Sequence, residues 1–390
     1  MDFLHDALED LRRRGLYRQL RTIESFQGPM VWMGGRQVVC LCSNNYLGLA
    51  SEPELIETAR QALDRRGLGA GASRLVSGDM TPHRKFEERA AAFLDAEAAL
   101  MMGSGYLANV GAIDALTGRG DVIFSDKLNH ASLIDGCRLS RAETRVFPHL
   151  DYDTLDRMLR EAPRETRKLI VTDSVFSMDG DLADLPLLVE LKRTHGAQLY
   201  LDEAHAIGVL GQRGAGAAER FGLTQQIEVR MATLGKAVGV YGAFLAGSRE
   251  LIDYLVNTCR TFIYSTALPP VIASVATEVL EWIESQGARR DQLLENKRFF
   301  TAGLEEQGWN VKKSISAIVP VLIGDAEKTM ALSNALLEEG VLAVGIRPPT
   351  VPPGTSRIRC AVMATHARSH LEQALGAFAK CGRALGLIGG

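Results

Sequence analysis

Leu199-Tyr200-Leu201-Asp202-Glu203-Ala204-His205 is the stretch from which the fold is read. An apolar run this short, cut off by charged residues, reads as a buried strand rather than a helix. An Asp at the C-terminal end of a buried parallel strand points into the crevice where α/β sheets bind ligands. Alone the signal is weak, since many strands end in Asp. Working outward, runs of the same kind recur at Ala99–Met102, Val122–Phe124, Leu169–Thr172, Met231–Leu234 and Ala243–Ala246. Helical patterns lie between them, including Pro53–Arg65, Arg84–Leu94 and Asp153–Arg160. This alternation predicts an α/β fold built on a mostly parallel central sheet flanked by helices.

The flanks read differently. Residues 1–22 carry Phe3, Leu4, Ala7, Leu8 and Leu11 at helical spacing, which predicts an amphipathic helix. Strand-like patches follow at Met30–Met33 and Val38–Leu41, with Gly34-Gly35 at the turn. Pro269-Pro270 opens a helix running to about Gln286, proline being harmless in a first helical turn. Beyond it the pattern suggests a smaller α+β unit, whose strand Ile318–Ile323 contains Pro320 and so belongs at a sheet edge. The expected division is an N-terminal arm over 1–42, a large domain over 43–285 and a small C-terminal domain over 286–390.

Composition narrows the function. The chain has 390 residues, 44 basic and 47 acidic, for a net charge of −3. A protein built to grip nucleic acid carries a basic excess, so nucleic acid is not an expected partner. A cofactor-binding regulator without turnover would also need an attached DNA-binding segment, for which there is no sign. No run of 18 apolar residues occurs, so no membrane span is expected. Met1-Asp2-Phe3-Leu4-His5-Asp6 is too acidic for a signal peptide, and a cytoplasmic location is the expectation. The six cysteines form no C-x-x-C pair, so zinc and redox motifs are not indicated. Most of them sit in apolar segments as small buried hydrophobes.

Several motifs fail on inspection. Gly67-Leu68-Gly69-Ala70-Gly71-Ala72 has the letters of a dinucleotide fingerprint but follows a helical segment, where that motif needs a strand. Gly235-Lys236 is followed by Ala237 and lacks the glycine of a phosphate-binding P-loop at Arg230. Ser104 in Met102-Gly103-Ser104-Gly105-Tyr106 lacks the first glycine of a nucleophile elbow. His366 and His370 stand four apart without an acidic ligand between them, so a solvated helix face is expected and no metal. Arg12–Arg14 reads as surface charge.

Three features combine instead. Asp202 ends one strand. Lys236 ends another apolar run in Thr233-Leu234-Gly235-Lys236-Ala237, flanked by small residues and with a hydroxyl three positions before it. Gly103-Ser104-Gly105-Tyr106-Leu107-Ala108-Asn109 follows a run and opens into a helical pattern, where backbone N–H groups can hold a phosphate. Pyridoxal 5'-phosphate requires this set: a lysine for the Schiff base, an acid opposite the pyridine nitrogen and a phosphate cradle.

Ser43-Asn44-Asn45-Tyr46-Leu47-Gly48-Leu49, Leu128-Asn129-His130-Ala131-Ser132, Val175-Phe176-Ser177-Met178-Asp179-Gly180 and Asp202-Glu203-Ala204-His205 resemble the α-oxoamine synthases. These are pyridoxal-phosphate enzymes of the fold-type I aminotransferase superfamily, and the resemblance runs from about residue 15 to 385. It implies a homodimer with shared active sites. Gly105–Asn109, Ser265-Thr266-Ala267-Leu268-Pro269-Pro270 and Ile346-Arg347-Pro348-Pro349-Thr350-Val351-Pro352 resemble the members that join L-alanine to a pimeloyl thioester, on CoA or acyl carrier protein. The alternative within the family is glycine with acetyl-CoA.

The resemblance also implies roles. Lys236 would carry the cofactor and, with His130, act in catalysis. Asp202 would face the ring nitrogen, His205 and Ser177 the ring oxygen side, and His130 the ring face. Tyr106 and Leu107 would hold the phosphate through backbone N–H groups, with Thr233 adding a hydroxyl. Ser265 and Thr266 would reach the phosphate of the neighbouring subunit. Arg359 would grip the amino-acid carboxylate, a task suited to a guanidinium fork. Asn44 and Thr350 would line the substrate pocket, and Arg18, with Arg21 as competitor, would meet the acyl end. Glu203 stands where many relatives have a second Asp.

Overall fold

The computed structural model describes residues 3–389; residues 1, 2 and 390, the outermost parts of the expected arm and C-terminal domain, lie outside them. The first helix, α1 (Phe3–Arg13), stops well short of residue 22. Gly15, at φ +63°, turns the chain: Leu16 N–H donates to Leu11 O at 2.8 Å and Gly15 N–H to Arg12 O at 3.0 Å. That pair of bonds is a Schellman close, which favours glycine. The apolar face of α1 is amphipathic as expected but remains exposed at Phe3, Leu4, Leu8 and Leu11. Strands β1 (Met30–Met33) and β2 (Arg36–Cys40) form an antiparallel hairpin. Its turn holds Gly34 at φ +58° and Gly35 at φ +74°, the left-handed pair that a tight hairpin demands.

The chain continues through α2 (Pro53–Arg66), α3 (Thr81–Phe93), β3 (Ala98–Met102), α4 (Gly105–Leu116), β4 (Val122–Asp126), α5 (Ala131–Leu139) and β5 (Glu143–Phe147). Next come α6 (Tyr152–Glu161), β6 (Lys168–Asp173), α7 (Leu185–His195), β7 (Gln198–Asp202), α8 (Ala217–Arg220), β8 (Val229–Thr233) and β9 (Ala243–Gly247). Seven of these strands make one sheet in the order β3-β9-β8-β7-β6-β4-β5. β9 runs antiparallel to both neighbours and the remaining pairings are parallel. β3, β4 and β6 are buried along their whole length, as expected of strands covered by helices on both faces.

Helices α9 (Arg249–Thr258), α10 (Arg260–Ile263), α11 (Pro270–Ser285) and α12 (Gly287–Glu306) lead to the C-terminal part. There β10 (Ile318–Gly324), α13 (Ala326–Glu338), β11 (Val341–Leu342), β12 (Val344–Ile346), β13 (Ser356–Ala361) and α14 (Arg368–Ala384) follow. β10 lies at the edge of a three-stranded sheet, β10-β13-β12, where Pro320 costs no ladder bond. β11 pairs in parallel with β2, so the arm and the C-terminal part share a sheet.

One expectation is corrected here. His366 is not on a solvated helix face: it precedes α14 and is 3% exposed. Its Nδ1 accepts from Met363 N–H at 2.8 Å, and burial pulls its pKa down to about 4. His370, on α14, is half-exposed, and its Nδ1 accepts from Ala367 N–H at 3.2 Å in the first turn. The pair works as local capping. The Gly67–Ala72 stretch lies in the loop after α2, with no strand before it.

Candidate active site

The parallel arrangement places strand ends side by side. β4, β6 and β7 end in Asp126, Asp173 and Asp202, and β8 ends in Thr233. Asp173 and Asp202 are register partners on adjacent strands. Two buried carboxylates this close cannot both ionise cheaply. Burial and the Asp202 charge push the pKa of Asp173 well above the usual carboxylate range. Asp202 is held by Asn109, whose Nδ2 donates to Oδ2 at 2.8 Å, and by Ala204 N–H, which donates to Oδ1 at 2.8 Å. Asn109 itself accepts from the buried Tyr200 hydroxyl at 2.8 Å and donates to Ser132 Oγ at 2.8 Å. Asn109, Tyr200 and Ser132 had no assigned part in the sequence reading. Asn109 stood in the quoted turn motif, but only its contact with Asp202 gives it work.

Lys236 follows β8 in a loop of small residues and is partly buried. Burial lowers its pKa to about 8, against the pull of Asp202 and Asp173. Its Nζ lies 2.9 Å from His205 Nε2, and His205 Nδ1 lies 2.7 Å from the Tyr46 hydroxyl. Burial and then Lys236 hold the His205 pKa well below its ordinary value. A neutral ring accepting at Nε2 from a lysine ammonium carries its proton on Nδ1 and donates to Tyr46. Tyr46 passes its own proton to Asn44 Oδ1 at 3.1 Å, which also accepts from Arg359 Nη2 at 3.2 Å. A polarised chain thus joins Lys236, His205, Tyr46, Asn44 and Arg359. Tyr46 is fully buried and was visible in the sequence only as a letter of the Ser43–Leu49 motif. That motif needs Gly48: its φ is +77°, and a Cβ there would lie 2.5 Å from the Thr365 side chain.

His130 sits at the start of α5 with an exposed side chain. Its backbone N–H donates to Asp173 Oδ2 at 2.8 Å and its Nδ1 lies 2.7 Å from Ser132 Oγ. Burial of the ring nitrogens lowers its pKa, with Lys236 adding to the fall and Asp202 opposing it. Ser177 lies in the turn after β6, and its carbonyl accepts from Arg359 Nε at 2.5 Å. At α4, Ser104 is the N-cap, its Oγ accepting from Leu107 N–H at 3.2 Å. Leu107 is therefore already engaged, and Gly105 and Tyr106 supply first-turn N–H groups that have no helical acceptor. A Cβ on Gly105 would stand 3.8 Å from Thr233 Cβ, so this turn and the Thr233 hydroxyl face one space.

The remaining residues lie elsewhere. Ser265 and Thr266 line a small cavity with Met102 and Gly103, and neither hydroxyl bonds to the Lys236 cluster among the described residues. Arg18, Arg21, Arg347 and Thr350 line a separate cavity of about 820 Å³ between the arm and the C-terminal sheet. Arg18 and Arg21 both reach it, so the competition between them stands. Glu203 is fully buried and accepts from Ala217 N–H and Ala218 N–H at 2.9 Å each, away from the Lys236 chain.

The donor set fits pyridoxal phosphate. It offers one amine of lowered pKa, a buried strand-end carboxylate held by Asn109, and a helix start beside a threonine hydroxyl. Residues 36–378 match the aminotransferase class I and II family. The chain belongs to that family. It is 52% identical to an 8-amino-7-oxononanoate synthase of Geobacter sulfurreducens, over 98% of each chain. It is 48% identical to the synthase of Geotalea daltonii over the whole of both. Among solved structures, a serine palmitoyltransferase of Sphingomonas wittichii superposes with a TM-score of 0.95 at 34% identity, covering 100% of this chain and 98% of that one. An 8-amino-7-oxononanoate synthase from Francisella tularensis gives 0.77 at 28%, covering 89% and 98%. The family is pyridoxal-phosphate dependent and of fold type I, which agrees with the seven-stranded sheet. No helix among the described residues is long and apolar enough to cross a membrane.

Proposed function

We propose that this chain is a pyridoxal-phosphate-dependent C-acyltransferase that condenses L-alanine with a pimeloyl thioester, releasing CO₂, the free thiol of the acyl carrier and 8-amino-7-oxononanoate for biotin synthesis. The end-to-end identity of about half to synthases of that name carries the reading. The pimeloyl group would arrive on CoA or on acyl carrier protein. When bound, the cofactor supplies a carbonyl carbon for amines and a ring that takes up the electron pair released at the amino acid's α-carbon.

The chain's own residues do the rest. Lys236 Nζ would hold the cofactor and then, freed by L-alanine, remove the α-proton; a pKa of about 8 keeps a useful fraction of neutral amine at working pH. Asp202, fixed by Asn109, would keep the ring nitrogen protonated, and His130 would cover the ring face. His205 and Ser177 would meet the ring oxygen side. The free N–H groups of Gly105 and Tyr106, with Thr233, would bind the phosphate, and Leu107 N–H would join them only by leaving or sharing its bond to Ser104 Oγ. Arg359, steered by Ser177 O and Asn44, would orient the substrate carboxylate. Among the described residues, the arginine-lined cavity at Arg18 and Thr350 has no acidic lining residue, which suits the terminal carboxylate of a pimeloyl group.

The site reading includes a homodimer in which Ser265 and Thr266 reach the partner's phosphate. Its support is the exposed apolar surface around them: Thr266 bridges to Ser73, and Leu75, Val76 and Tyr264 beside these residues are exposed. The direct test supplies the loaded protein with L-alanine and pimeloyl-CoA or pimeloyl-acyl carrier protein, and in parallel with glycine and acetyl-CoA. Mass detection of 8-amino-7-oxononanoate as the dominant product supports the reading. Faster turnover of glycine with acetyl-CoA overturns it.

A further inference from the structure

We infer that His149 is a positioning residue for this reaction, an imidazolium that ties the loop carrying His130 to the turn that receives Arg359. His149 follows β5, outside the site described above. Its Nδ1 lies 2.9 Å from Asp126 Oδ1 and its Nε2 lies 2.9 Å from Asp181 Oδ2. A ring with a carboxylate at each nitrogen donates from both, so it is protonated. The ring is also fixed edge-on against Phe176, with centroids 4.4 Å apart at 84°.

Each carboxylate belongs to a segment of the site. Asp126, 1% exposed, ends β4 and starts the loop to His130. It accepts from Leu128 N–H at 2.8 Å and Leu150 N–H at 3.0 Å through its side chain, and from Asn129 N–H at 3.2 Å through its carbonyl. Asp181 closes the turn after β6, where Val175 bridges Leu182 and Phe176 N–H donates to Asp181 O at 3.0 Å. Alternate residues of that turn are all held. Ser177 O takes Arg359, Asp179 takes Arg357 and Lys312, and Asp181 takes His149. His149 is thus the charged link between the Arg359 end of the site and the His130 end.

Burial alone would lower its pKa, but Asp126 and Asp181 more than offset that and raise it to about 9. Tyr152, on α6, is the other titratable group packed here; it feels Asp126, Asp184 and Asp181, and its hydroxyl accepts from Asp184 N–H at 2.8 Å. The clamp is therefore complete below about pH 6.5 and is lost as pH rises through about 9.

The inference rests on the proposed function only for its effect on turnover, so the clamp is tested in cofactor-free protein. Hydrogen exchange, corrected for intrinsic rates, is followed in residues 127–130 and 175–182, with α12 as reference. H149A should speed exchange in both segments and leave α12 unchanged. In wild type the two segments should lose protection together through about pH 9. In loaded enzyme, H149A should raise KM for L-alanine and lower kcat, with kcat/KM falling on the order of tenfold or more, since small misplacements are costly. Should H149A fail to fold, the wild-type pH series decides. Protection retained in both segments to pH 10 overturns the inference. So does a variant that merely loses active fraction at unchanged kcat and KM per site.

Discussion

Replacing Lys236 by Met should make the cofactor-free protein more stable at neutral pH. Lys236 has its pKa lowered from 10.5 to about 8 by burial, so its ammonium is worse off in the folded chain than in the unfolded one. At ~1.36 kcal/mol per pH unit the penalty is roughly 3 kcal/mol. The side chain is only partly buried, and solvent screening trims this to about 2–3 kcal/mol. Methionine of similar shape loses the bond to His205 Nε2 at 2.9 Å, worth about 1 kcal/mol. The net gain expected at pH 6.5 is about 1–2 kcal/mol. The sign follows from proton counts. Between about pH 8 and 10.5 the unfolded chain binds the lysine proton and the folded chain does not, so wild-type stability rises with pH through that window. The advantage of K236M should shrink there and reverse near pH 10, where only the lost bond remains. Denaturant titration of both apo proteins at one protein concentration, at pH 6.5, 8 and 10, reads this directly. A variant less stable than wild type at pH 6.5, or a difference that ignores pH, refutes the account of a strained, desolvated amine.

Other outcomes follow from the same contacts. Asn109→Ala strands the buried Tyr200 hydroxyl and removes a charge-assisted bond from Asp202; unfolding should cost about 2–4 kcal/mol less, and the pH profile of the loaded enzyme should shift as Asp202 loses its anchor. Arg359→Lys keeps the charge but cannot reach both Ser177 O and Asn44 Oδ1; KM for L-alanine should rise on the order of tenfold or more with a smaller change in kcat, and equal loss in both would argue against carboxylate binding. Arg18→Ala and Arg21→Ala, compared by KM for pimeloyl-CoA, should separate the two competitors, since only the residue that pairs with the acyl carboxylate moves KM by on the order of tenfold or more.

The central sheet was legible because most of its strands are covered on both faces and so appear as apolar runs. β5 escaped notice for the opposite reason. It is an edge strand whose Glu143, Thr144 and Val146 are exposed, unlike β3 at the other edge, which is buried throughout, so no apolar run marks it. The overlong first helix failed on Gly15, a Schellman signal outweighed by the hydrophobic spacing around it. At the site, Asp202, Lys236 and the Gly103–Asn109 turn were readable because Asp202 ends a strand, Lys236 follows one closely and the turn begins a helix. Tyr46, Asn109 and Asp173 were not, because their parts depend on contacts between segments distant in sequence: Tyr46 with His205, Asn109 with Asp202, Asp173 with the backbone of His130. Nor does spacing reveal that His366 is buried, which depends on the packing of β2 and α12 around it.

At this site two acids stand where one would serve as counter-ion. Both acids pull the Lys236 pKa up, against its burial. Register pairing on β6 and β7 pushes one proton onto Asp173, whose Oδ2 still accepts from His130 N–H and so orders the start of α5. Asp202 keeps the side-chain donor Asn109 and the backbone N–H of Ala204. Burial of Lys236 outweighs the pull of both acids, and its pKa falls to about 8. Adjacent parallel strands ending in Asp thus set an acid that orders a helix start beside a buried amine that titrates close to working pH.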